Sequence, residues 1–120
     1  MTNFIKETQT SYYEYITQIS QGSLFISDKL REGNITQATT TIIDLVEGLS
    51  WMLQVEELMK ENNYLIQSAT QTAAEHLNEI NDALSRQDYV FVADLFECEI
   101  SPIFNDAENW KFEKINVSKG

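Results

Sequence analysis

No proline interrupts the chain before Pro102, and its glycines are confined to Gly22, Gly33, Gly48 and Gly120. Proline and glycine are the strongest local breakers of regular structure. No Asn-Gly or Asp-Gly pair offers a tight hairpin turn either. A chain so poor in punctuation is constrained to a few long helices, and the spacing of its apolar residues divides it into four.

The first helix is expected over roughly 4–32, with Ile5, Tyr12, Ile16, Ile19, Ser23, Ile26 and Leu30 on one stripe. A later start is possible at Ser11-Tyr12-Tyr13-Glu14, which reads as a capping box. Gly33 supplies the left-handed residue that ends the helix. Asn34 caps the second helix (35–61), with Gln37 three residues on as its reciprocal partner. There Ile35, Ala38, Ile42, Leu45, Leu49, Met52 and Leu53 face inward, and Asn62-Asn63 ends the run. The third helix (64–86) uses Ile66, Ala69, Ala73, Leu77, Ile80 and Leu84. The fourth (89–112), capped by Asp88, uses Val92, Leu95, Phe96, Ile100, Ile103 and Trp110, and 113–120 reads as a frayed tail. Turns this short force antiparallel neighbours, so the expected fold is an all-α, up-down-up-down four-helix bundle. At 120 residues it is read as a single domain.

Charge excludes some partners. Nineteen acids against eight bases leave a net charge of −11, which repels phosphate backbones and anionic membrane surfaces. The acids are spread along the chain and read as a solvated surface. No apolar run approaches the ~20 residues that cross a membrane. The N-terminus lacks the basic and apolar regions of a signal peptide, so a cytoplasmic setting is expected. Cys98 is the lone cysteine, which excludes an internal disulfide and a multi-cysteine zinc site. It reads as a small hydrophobe beside the core.

Glu99 is the residue most at odds with its surroundings. At about 100° per residue it projects between Leu95 and Val92, inside the apolar sector, where an unpaired charge costs several kcal/mol. Pro102 removes the N–H that the Cys98 carbonyl would accept from and bends the helix nearby. His76, the one histidine, lies as far before the Gln87-Asp88 turn as Glu99 lies after it. Both then stand about 16 Å from the turn, so Glu99 and His76 are a candidate buried polar pair. A tyrosine hydroxyl or a water is the other available partner for Glu99. The pair reads as structural, and no catalytic residue is assigned.

A second apolar stripe, Trp51, Val55 and Leu58, runs along the side of the second helix away from its inward face. It is either covered by Phe4, Ile5, Trp110 or Phe112, or left open for a second copy or a protein partner. Exposed tryptophan is typical of binding hot spots, so these three residues are the candidate partner surface.

Metal chemistry finds little support. A di-metal bundle wants Glu-x-x-His, and here Glu75 directly precedes His76. Glu79-Ile80-Asn81-Asp82 resembles the Glu-x-x-Asp half of the magnesium site in helical nucleotide pyrophosphohydrolases, with Asp44-x-x-Glu47 the nearest imitation of the other half. No metal ligand set and no cofactor is expected. Gly-rich phosphate loops are missing too.

WMLQVEELM after LVEGLS, and DYVFVADLFECEISPIF before a tryptophan, resemble a family of small acidic helical proteins from Gram-positive bacteria. That family combines a Gly-x-x-Trp second helix with an Asp-Tyr-Val…Ala-Asp-Leu…Glu-x-Glu…Pro last helix. In size, acidity and helix content the chain is also similar to flagellar export chaperones. Both resemblances imply non-enzymatic behaviour, and neither carries over a functional residue. The expected function is a protein–protein interaction module: a homodimer, an adaptor or a chaperone-like partner. The alternatives are a metal-dependent nucleotide pyrophosphohydrolase-like enzyme and a small-molecule-binding bundle using Glu99 and the Pro102 bend.

Overall fold

A computed structural model describes residues 2–115. The apolar stripes fold as α1 (Thr2–Arg31), α2 (Ile35–Glu61), α3 (Thr70–Ser85) and α4 (Tyr89–Leu95). The last continues through a π-helical turn, Phe96–Ile100, into a short α5 (Ser101–Ile103). The chain is therefore mainly all-α, and no described helix is long and apolar enough to cross a membrane.

The turns arise from local chemistry. Gly33 takes φ 84°, and the Asn34 N–H reaches back to the Lys29 carbonyl at 2.9 Å, closing α1 with a left-handed cap. Asn34 then accepts from the Gln37 N–H and donates its own amide to Gln37 Oε1 at 2.8 Å. The α3–α4 turn repeats the design with Gln87 at φ 58° and Asp88 accepting from the Phe91 N–H. A left-handed residue with a side-chain cap directly after it makes both turns short.

Two expected helix bounds are corrected. Residues 64–69 do not start the third helix: Asn63 turns left-handed at φ 69°, and β1 (Tyr64–Ile66) pairs antiparallel with β2 (Phe112–Lys114). The partners are Tyr64 with Lys114, Leu65 with Glu113 and Ile66 with Phe112. Burial alternates along β1, half-buried, exposed, half-buried, as a strand demands. The fourth helical stretch likewise ends at Ile103 rather than 112. A 3-10 turn, Ala107–Asn109, folds the chain back so that Trp110 packs on Phe104, ring centroids 5.3 Å apart. Residues 113–114, expected to fray, belong to β2; 116–120 lie outside the described residues.

The third correction concerns Glu99. In the π turn the Ser101 N–H donates to the Phe96 carbonyl, five residues back rather than four. One extra residue in the turn changes the angular position of its neighbours, so Ile100 and Ser101 take the inward positions. Glu99 swings out, with 54% of its side chain exposed. It is a surface carboxylate. The wider turn also sits where Pro102 leaves the helical ladder without a donor.

Candidate functional site

The carboxylate that reaches buried groups is the half-buried Glu56 instead. Its Oε2 accepts three hydroxyl hydrogen bonds: from Tyr12 at 2.5 Å, Thr70 at 2.7 Å and Ser68 at 2.9 Å. Tyr12 comes from α1, Thr70 from the first residue of α3 and Ser68 from the connection after β1, so one oxygen ties three parts of the chain. Tyr12 and Thr70 are fully buried. The sequence does carry a signal for this position, because Glu56 stands four residues after Met52 and seven after Leu49, on the inward stripe of α2.

Burial, then the hydrogen bond to Glu56, pushes the Tyr12 phenol well above the ordinary tyrosine range. A phenol held this firmly protonated is no acid or base near neutral pH, and Tyr12 serves here as a hydroxyl donor to Glu56. The unfolded chain ionises this tyrosine near pH 10.0, whereas the folded protein does so only at higher pH. Its contribution is therefore full below that pH and is lost above it, at about 1.4 kcal/mol per pH unit. Urea unfolding between about pH 9 and 11 should show this fall. It should be shallower in Tyr12→Phe, with the remainder including Tyr15, which burial and then Asp44 also raise.

Gly48 and Trp51 form a slot for Tyr15. A Cβ at Gly48 would overlap the Tyr15 hydroxyl and ring, and the Tyr15 ring stands edge-on to Trp51 at 5.8 Å. This gives the Gly-x-x-Trp spacing a physical reason. In an open helix Gly48→Ala would gain up to about 1 kcal/mol. Here it must expel Tyr15, and a net loss of about 1–2 kcal/mol is expected. Repeating the substitution in a Tyr15→Ala background should return it to neutral or stabilising, as a double-mutant cycle in urea would read.

The candidate stripe is not evenly exposed. Val55 is only 4% exposed and belongs to the core, whereas Trp51 and Leu58 are half-buried. They line a shallow groove with Phe4, Thr8 and Gln54, and Trp51 also packs on Tyr12. Phe112 and Trp110 lie elsewhere, against Tyr12 and Tyr13 and against Phe104.

His76 and Glu99 are brought near each other, with Nε2 3.9 Å from Glu99 Oε1, beyond hydrogen-bond length. The direct partner of His76 is Glu79, at 2.9 Å from Nδ1. Asp82 faces Arg86 at 3.5 Å. Among the described residues, no three His, Cys, Asp or Glu side chains stand close enough to share a metal ion. Cys98, expected beside the core, is exposed, because two positions after the buried Phe96 and two before the buried Ile100 it stands on the far side of the turn.

On the opposite flank of α2 an open cleft of about 520 Å³ runs between α2 and α3. Ile42, Ile43, Val46, Leu77, Ile80 and Leu84 give it an apolar lining, with Glu47, Asn78 and Asn81 as its polar members. Ile43 is 53% exposed. The two helices carry acids at Asp44, Glu47, Glu56, Glu57, Glu61, Glu75, Glu79 and Asp82, against Lys60 alone. α1 by contrast balances Glu7, Glu14 and Asp28 with Lys6, Lys29 and Arg31. α2 and α3 are thus more acidic than α1, and residues 88–113 carry seven further acids.

No curated protein and no solved structure matches the chain. The model of a family described as Domain of unknown function (DUF8042) matches residues 7–109, from the early turns of α1 to the 3-10 turn before Trp110. With nearly all of its helical residues inside that match, the chain belongs to this family of domains of unknown function.

Proposed function

We propose that the protein is a non-enzymatic interaction module that binds a helical segment of another protein in the α2–α3 cleft. The observation that carries this reading is the cleft's apolar lining, left open with Ile43 more than half exposed. Exposed apolar surface gathered in a concavity and rimmed by polar residues is the usual mark of a partner site. The Trp51, Val55 and Leu58 stripe is the weaker surface, because burial of Val55 removes its middle. Self-association is disfavoured at the cleft, since two copies would bring Glu47 against its like in a chain of net charge −11.

The frame behind the cleft is the up-down-up-down bundle. Contacts of Tyr12 with Glu56, Ser20 with Ser101 and Arg31 with Asp94 support alternate directions for the helices. The test compares the full chain with Ile43→Gln as baits in the native cell, with circular dichroism to verify equal folding. A partner held by the wild type and lost by Ile43→Gln supports the reading. A partner held equally by both overturns the cleft as its site. A wild-type dimer in light scattering that Ile43→Gln dissociates would replace the partner by a second copy. Turnover of nucleotides with magnesium would favour an enzyme.

A further inference from the structure

We infer that the segment received by the α2–α3 cleft is a basic amphipathic helix, with its apolar face on Ile43, Val46 and Leu77 and a lysine or arginine towards Glu47. This inference rests on the cleft being a partner site, and it adds the partner's chemistry.

The helical form is required by hydrogen bonding. Both walls of the cleft are helices whose backbone groups are paired within themselves. An extended segment laid between them would find no backbone donors or acceptors, and its own N–H and C=O groups would be left unpaired where they are covered. A helix satisfies those groups internally and needs only side-chain contact. From Leu77 to Leu84 the cleft runs about 10 Å, two helical turns. An occupant with apolar residues at i, i+4 and i+7 matches that length.

The basic character comes from charge. The chain as a whole carries a net charge of −11, and no lysine or arginine is among the residues that line the cleft. Glu47 lines the cleft itself, and among the described residues no ion pair engages it. A neutral apolar helix would leave this field uncompensated, and an acidic one would be repelled. A basic helix gains both association rate and orientation from it.

The probe is a fluorescein-labelled synthetic helix with leucines at i, i+4 and i+7 and lysines on the flanking positions. Two control peptides replace the lysines by glutamates, or scramble the leucines while keeping the charge. Fluorescence anisotropy with the full-length protein should show saturable binding of the leucine–lysine helix. Binding should weaken roughly 10-fold in Ile43→Gln and at least about 3-fold in Glu47→Lys. Raising the salt from about 50 to 300 mM should weaken the wild type's binding several-fold. Equal binding of the scrambled peptide, or no loss in Ile43→Gln, overturns the inference. So does tighter binding of the glutamate control. If the probe fails while the cellular partner is still lost in Ile43→Gln, the cleft stands as a partner site and only the basic helix is wrong. If the cellular partner is also indifferent to Ile43, both readings fall.

Discussion

Glu56→Ala is expected to lower the unfolding free energy by about 3 kcal/mol, which is a large share of what a domain of this size possesses. The carboxylate oxygen that accepts from Tyr12, Thr70 and Ser68 disappears, and two of those donors are fully buried. Each hydrogen bond to a charged group contributes about 1.5–3 kcal/mol, and a buried donor left without a partner costs about 1–3 kcal/mol. These terms do not add in full, because the three hydroxyls share one acceptor and Ser68 has access to water. Removing one acid from a chain of net charge −11 also relieves some repulsion. Glu56→Gln keeps an acceptor oxygen and gives up the charge, so about half the loss is expected. Urea unfolding at neutral pH measures both. A loss below about 0.5 kcal/mol for Glu56→Ala would show that α1, α2 and the start of α3 are not tied through this oxygen. Hydrogen exchange adds a local reading: amides of β1 and of the first turn of α3 should lose protection before those of α2.

The second large effect separates two phenylalanines five residues apart. Phe96 is fully buried where α4 passes into the π turn, and Phe96→Ala should cost about 3–5 kcal/mol through lost burial and the cavity left behind. Phe91 is 37% exposed, and Phe91→Ala should cost about 1 kcal/mol or less. Both substitutions keep helix propensity, since alanine is the best helix former, so the contrast reports tertiary environment alone. Chemical denaturation of the two variants measures it. Equal costs would mean that the Phe96–Ile100 turn does not set which face of this segment is inside.

Some of this was legible in the residues and some was not. Gly33, Asn34 and Asp88 act on backbone groups a few positions away, so the ends they set could be read directly. Asn63 carried a similar local hint, but the strand after it exists only because 112–114 arrives beside it. Tyr64-Leu65-Ile66 fits a helical stripe and a strand equally well over three residues, and a partner some fifty positions away decided between them. Counting from the Gln87-Asp88 turn levelled His76 with Glu99, yet uniform helical steps put Glu99 on the wrong face. The same steps, applied to α2, place Glu56 on the inward stripe, where its half-buried carboxylate meets the buried Tyr12 and Thr70 hydroxyls.

By itself the sequence determined the helical class, the long α1 and α2, their capped turn and the excess of acid. These rest on propensity, capping and composition, which act within a few residues or need no geometry at all. Tertiary structure alone decided the β1–β2 pair, the π turn, and which carboxylate bonds the buried hydroxyls. In each case two local conformations of similar energy competed. The balance was tipped by contacts between residues distant in the chain: Phe112 on Tyr12, Ser101 on Ser20, and Tyr12 on Glu56.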